Sequence, residues 1–296
     1  MYVPNTIRTK DGRNIGIRIY AAENENASVV IIAPSAEKTQ SFYFNIAVFF
    51  LQHGFSVITF DYRGVGESAP VALSRYRALL RQWAMQDMDA VLRYAKNQFP
   101  KQELIFIGHG IGGEIIGLAP ASQYINRLIV VNCALSCSRL RRGQDRIWIG
   151  FMKIFVQTMS WLFGYFPGKY FGIYNNLPRG VMYEWIHWCN NTNGLFDEFP
   201  DHNYRKLKIP LLAFSFTDDW RSQQKGVKAL LEHFSEAGIT WYHLQPGQAG
   251  QRRVGHSGFF KKAAQSVLWP VMMSWLQNEK NEKNGINTIN HKTFEK

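Results

Sequence analysis

Three short stretches of this chain carry groups suited to acyl-transfer chemistry. Residues 104–107 form a continuous apolar run that breaks into Gly108-His109-Gly110-Ile111-Gly112-Gly113. This matches Gly-x-Ser-x-Gly, the strained strand-to-helix turn that raises a nucleophilic serine above a sheet, except that Gly110 holds the serine position. Asp218 and Asp219 follow the apolar run 209–216, and His256 lies in the long loop after the run 239–244. A histidine so placed can take the proton of an attacking oxygen, and an acid from an earlier strand can orient it. Asp219 is the expected acid, Asp218 its alternative, and His256 the expected base. Whichever aspartate does not pair with the histidine is expected to cap the following helix through its free N–H groups.

Stabilising the oxyanion of such a reaction needs two preorganised N–H donors. The residue after the nucleophile position, Ile111, supplies one, and Ser35 or Ala36, in the loop after the first parallel strand, supplies the other. Gly110 suits a strained backbone but has no atom with which to form an acyl-enzyme. Ser35, Ser215 and Ser257 are the nearest hydroxyls for a relocated nucleophile, although loop serines mostly bond to nearby backbone. The same glycines fall short of a dinucleotide-binding fingerprint, because no acidic residue ends the next strand to hold a ribose.

The elements that must position these groups alternate. Residues 6–9 and 14–21 read as half-buried strands joined at the turn Asp11-Gly12, an antiparallel hairpin. The β-branched run 28–33, an apolar helix over 42–52 and the run 55–60 make a βαβ unit, and a long amphipathic helix is predicted over 79–98. The run 104–107, a helix ending near Ala119-Pro120, the run 125–134, the run 209–216, a helix over 223–236, the run 239–244 and a helix over 261–277 continue the pattern. This predicts an α/β fold with a mostly parallel, doubly wound sheet and an antiparallel N-terminal hairpin.

The alternation stops over residues 136–200, a strongly aromatic stretch read as a helical cap inserted between core segments 1–135 and 201–277, with a polar tail over 278–296. Residues 147–166 approach the length of a bilayer span, but Lys153, Gln157 and Ser160 interrupt them, so a buried or ligand-facing cap is expected. The net charge of +12 fits a solvated basic surface, and no nucleic-acid motif accompanies it. The cluster Arg139, Arg141, Arg142 and Arg146, with the aromatic cap, also fits superficial contact with a membrane. Three cysteines without paired spacing point to neither a disulfide framework nor zinc, and no apolar leader follows Met1, so a cytoplasmic protein is expected.

The order of elbow, aromatic insertion, acid and histidine resembles the α/β-hydrolase superfamily. Within it, the chain is similar to a group of uncharacterised bacterial α/β hydrolases of serine esterase/aminopeptidase type. The stretches that carry this second resemblance are Gly164-Tyr165-Phe166-Pro167-Gly168, Leu177-Pro178-Arg179-Gly180-Val181, Trp185-Ile186-His187-Trp188-Cys189, Phe216-Thr217-Asp218-Asp219, Gly255-His256-Ser257-Gly258-Phe259-Phe260 and Leu268-Trp269-Pro270. The resemblance implies hydrolysis of an ester or amide, without metal or organic cofactor, and the aromatic cap points to a small hydrophobic or lipid-like ligand. Gly110 limits that expectation to impaired or non-standard hydrolysis. It opens two others: a pseudo-hydrolase that binds a ligand without turning it over, and lyase or oxygenation chemistry run by His256 and Asp219.

Overall fold

The near-continuous apolar runs become strands covered on both faces. A computed structural model describes residues 2–140, 144–172 and 175–283; Arg141, Arg142 and Tyr174 lie outside these, as does the side chain of Arg146. The strands are β1 (Val3–Arg8), β2 (Asn14–Tyr20), β3 (Val29–Ala33), β4 (Ser56–Phe60), β5 (Leu104–His109) and β6 (Arg127–Val131), then the short β7 (Tyr165–Phe166) and β8 (Leu177–Pro178), then β9 (Pro210–Phe216) and β10 (Gly238–Leu244). Eight of them form one sheet in the order β1-β2-β4-β3-β5-β6-β9-β10. The hairpin β1-β2 is antiparallel and joins β4 antiparallel, whereas every pairing from β4 to β10 is parallel. Side chains alternate between the two faces as strand geometry requires: Val29 and Ile31 enter one core cluster, Val30 and Ile32 the other. The chain has the α/β-hydrolase architecture that the sequence implies.

Helix α1 (Phe44–Gln52) follows β3. The long helix predicted over 79–98 forms over 80–98, with a π-helical segment, Trp83–Met88, joining α2 (Leu80–Gln82) to α3 (Asp89–Gln98). The wider turn lets two of its side chains grip the loop after β4. Trp83 stacks on Tyr62 with centroids 4.5 Å apart, and Asp87 accepts from the Arg63 amide at 2.9 Å and the Arg63 Nε at 2.7 Å. Periodicity cannot reveal this, since both residues remain apolar-face positions in either helix type.

The helix expected after Gly113 is shorter than predicted. Helix α4 (Ile111–Glu114) makes one turn before two 3₁₀ segments. Tyr204 is the cause: its hydroxyl donates to the Glu114 carbonyl, and its ring lies 2.2 Å from where a Cβ on Gly117 would sit. The cap contains α5 (Gln144–Phe163), the β7-β8 ribbon and α6 (Arg179–Asn190). Its buried residues Val156, Phe166, Val181, Ile186 and Trp188 belong to the same apolar cluster as the sheet face beneath. Glu184 on α6 accepts from the Arg81 amide at 2.9 Å, tying cap to core. Helix α7 (Gln224–Leu231) covers β9, and α8 (Leu268–Lys283) runs past Asn278, where the polar tail is read to begin. Among the described residues, no helix is long and apolar enough to cross a membrane.

Candidate active site

The nucleophile position, the two aspartates, the histidine and the oxyanion-loop residues lie beyond the C-terminal ends of parallel strands, where open α/β sheets place their ligand crevice. Ser35 and Ala36 follow β3, Gly110 follows β5, Asp218 and Asp219 follow β9, and His256 lies in the loop after β10. Close packing makes the elbow: a Cβ on Gly108 would lie 2.4 Å from the Gly113 Cα, so only glycine lets α4 approach β5 this closely. Gly110 turns the chain between them at φ 54° and ψ −120°, a conformation that L side chains adopt only under strain.

His256 and Asp219 come together. The imidazole Nδ1 lies 2.8 Å from Asp219 Oδ2, and the carboxylate is almost wholly buried. A carboxylate accepts, so Nδ1 carries the proton and the Nε2 lone pair faces the elbow. Burial would raise the Asp219 pKa, but the hydrogen bond and charge of His256, with the Arg221 amide, outweigh it and hold the carboxyl below its ordinary range. Asp218 neither pairs with the histidine nor caps a helix, contrary to expectation. Its carboxylate accepts the Val254 amide at 2.9 Å and the Gly255 amide at 3.0 Å, fixing the loop just ahead of His256, while α7 begins several residues later after Gln223.

Residues that the sequence did not single out brace the histidine. The Ser35 amide donates to the Tyr43 hydroxyl at 2.9 Å, Tyr43 donates to His109 Nδ1 at 2.7 Å, and His109 Nε2 donates to the His256 carbonyl at 2.9 Å. Burial first, then the charge of His256, push the His109 pKa down to about 3, so it serves as a neutral link. Asn132, the non-glycine residue at positive φ among the described residues, donates to the same carbonyl at 2.7 Å and to that of Gly255 at 3.0 Å. The relay corrects one expectation: the Ser35 N–H is already engaged by Tyr43, which leaves Ala36 in that loop. The Ile111 N–H, at the first position of a helix, has no intrahelical acceptor.

The hydroxyls considered as relocated nucleophiles divide. Ser215 bonds to His243 at 2.8 Å and to Trp241 at 2.9 Å, within the β9-β10 pair. The Ser35 hydroxyl points into the site but donates to Glu37 at 2.5 Å, and among the described residues it makes no hydrogen bond to His256. Glu37 also receives Arg221 at 2.6 Å and stands 3.8 Å from His256 Nε2. Burial opposes its ionisation, but His256, Arg221 and His109 together bring its pKa down to about 2. A Cβ on Gly110 would lie 2.9 Å from His256 Nε2 and 3.1 Å from the Ser35 hydroxyl, tighter than ordinary packing permits. The imidazole lies against the glycine.

A cavity of about 340 Å³ opens from this point toward the cap. Gly110, Ile111, Glu37 and His256 form its floor, and Phe166, Val181 and Trp185 are among the apolar side chains that wall it. Of the bracing residues, only Asn132 follows directly on an apolar run. Tyr43, Glu37 and Arg221 had no spacing or motif to mark them, because their roles arise from loops meeting in space.

A family model described as serine aminopeptidase, S33, matches residues 24–170, a stretch that includes Gly110 and ends before Asp219 and His256. No curated protein sequence matches the chain. Among solved structures, an esterase from Exiguobacterium antarcticum superposes with a TM-score of 0.63 at 13% identity, covering 93% of this chain and 100% of that one. A carboxyl esterase from Bacillus coagulans, in complex with glycerol, gives 0.63 at 13% identity over 93% and 98%. An esterase from Pyrococcus furiosus gives 0.61 at 16% identity over 96% and 90%. At such identities these neighbours speak for the fold.

Proposed function

The chain belongs to the α/β-hydrolase superfamily, and from that premise we propose that it hydrolyses an ester or amide with an apolar acyl or aromatic part, slowly and without an acyl-enzyme. The observation that carries this reading is the Asp219–His256 pair at 2.8 Å, with Nε2 directed at residue 110. In this mechanism the apolar group enters the cap-lined cavity, and the carbonyl carbon stops above Gly110. His256 Nε2 takes a proton from water as the water oxygen attacks, Asp219 stabilises the imidazolium through Nδ1, and the Ile111 and Ala36 amides receive the developing oxyanion. His256 then returns the proton to the leaving oxygen or nitrogen. A positioned base contributes about 10²–10⁴-fold.

The test is p-nitrophenyl butyrate turnover by the protein and by His256→Ala. Turnover that falls by about 10²-fold in the variant, with no fluorophosphonate labelling of the unaltered protein, supports the mechanism. Equal turnover by both overturns it. Labelling of a peptide containing Ser35 would replace water with a relocated serine.

One observation favours a second reading, a pocket that binds without turnover. An ionised Glu37 stands 3.8 Å from Nε2 and beside Ser35, so it opposes negative charge developing on a nearby carbonyl oxygen. Under that reading, apolar acyl compounds raise the melting temperature without being consumed.

A further inference from the structure

The cap helix α5 has two apolar faces, and the core accounts for one of them. On the inner face, Val156 is buried and Met152, Phe155 and Met159 pack beside it. On the outer face, Ile147, Ile154, Trp161 and Leu162 are 75, 66, 72 and 59% exposed. The helical period brings positions 147, 154, 161 and 162 onto a single stripe. Phe151 falls within it, exposed on the outer side and stacked against Phe155. Past the end of the helix, Tyr170 and Phe171 are exposed as well, the Tyr170 ring 6.3 Å from that of Phe163 and the Phe171 ring 4.8 Å from that of Phe155. Five large apolar side chains, Ile147, Phe151, Ile154, Trp161 and Leu162, exposed along one stripe mark an interaction site.

Its charge identifies the partner. Residues 147–172 contain Lys153 and Lys169 and no aspartate or glutamate, and both lysines are exposed. We propose that this face seats the cap on an anionic phospholipid bilayer. Trp161, Tyr170 and the aliphatic side chains enter the boundary between headgroups and acyl chains, and Lys153 and Lys169 meet lipid phosphates. A second copy of this chain is the poorer occupant, since a two-fold contact through the same face sets lysines against lysines. Met152, on the inner side of α5, lines the cavity, so a seated cap brings that cavity next to the place where apolar ligands are dissolved. The docking does not depend on whether the site is hydrolytic.

The experiment is sedimentation of the full chain with phosphatidylcholine vesicles and with vesicles containing phosphatidylglycerol, at low and high salt. Expected is binding to the anionic vesicles that weakens with salt. Ile154→Glu/Trp161→Glu should weaken it by at least about tenfold, and Lys153→Glu/Lys169→Glu should weaken it by roughly tenfold at low salt. Both variants should keep the melting temperature of the parent, because the altered side chains face outward. Failure to bind anionic vesicles at low salt, or equal binding by the Ile154→Glu/Trp161→Glu variant, overturns the proposal. So does a dimer in light scattering that this variant dissociates while vesicle binding is unchanged.

Discussion

The two halves of the candidate site differ in what holds them. The acid–histidine half is fixed by side chains: Asp219 on Nδ1, His109 and Asn132 on the His256 carbonyl, and Asp218 on the two amides just before it. The elbow half is fixed largely by backbone, through the packing of Gly108 against Gly113, the Gly110 N–H donating to the Val131 carbonyl at 3.0 Å and the positive φ of Gly110. Gly110 therefore offers no attacking oxygen, while the turn of the elbow is formed. The imidazole of the braced half lies close against the glycine. A fold can keep the form of a hydrolytic site while one atom decides which chemistry is open to it.

The sharpest way to break this comparison is Gly110→Ser. The positive φ costs about 1–3 kcal/mol for a residue with a side chain, and the Cβ contact with Nε2 adds to it, so denaturant unfolding should show a loss of at least that size. Since the other half is intact, the variant should also gain fluorophosphonate labelling, and Gly110→Ser/His256→Ala should lose it. No labelling in the single variant would mean that the elbow half has diverged in more than one atom.

Asp218→Ala probes the braced half with a smaller effect. Losing the acceptor of two partly buried amides should lower stability by about 1–3 kcal/mol. It should lower p-nitrophenyl butyrate turnover as well, because the loop that carries His256 loosens. If Asp218→Ala leaves both stability and turnover unchanged, the bracing is redundant and the contrast between the halves weakens.

The mildest test is acid. Glu37 has a folded-state pKa of about 2 against an ordinary 4.5. Its contribution to stability is therefore complete above pH 4.5 and is lost as pH falls toward 2. Unfolding curves of the protein and of Glu37→Gln should converge over that interval and separate above it, with the parent the more stable. Curves that stay parallel from pH 2 to 6 would remove Glu37 from the site's electrostatics.

Much of this was legible in residue order. Period-2 alternation in the hairpin, β-branched runs and intervening amphipathic helices gave the mostly parallel sheet, and Asp219 and His256, placed after β9 and β10, are hydrogen-bonded to each other. The misreadings share a cause. The shortened α4 and the true partners of Asp218 each depend on residues distant in sequence: Tyr204, and the amides of Val254 and Gly255. Local pattern reports which face of an element is apolar and where a turn falls. It is silent on which polar groups from separate loops meet.

Residue types alone determined that position 110 has no nucleophile and that an acid and a histidine follow in the order a hydrolase needs. Tertiary structure decided the rest: that Asp219 pairs with the histidine while Asp218 holds its loop, that Tyr43 takes the Ser35 amide, that Glu37 with Arg221 shares the site, and that the imidazole rests against Gly110. The reason is physical. Helices form from interactions a few residues apart, whereas these hydrogen-bond partners and buried charges are assigned only when separate loops are packed against one another.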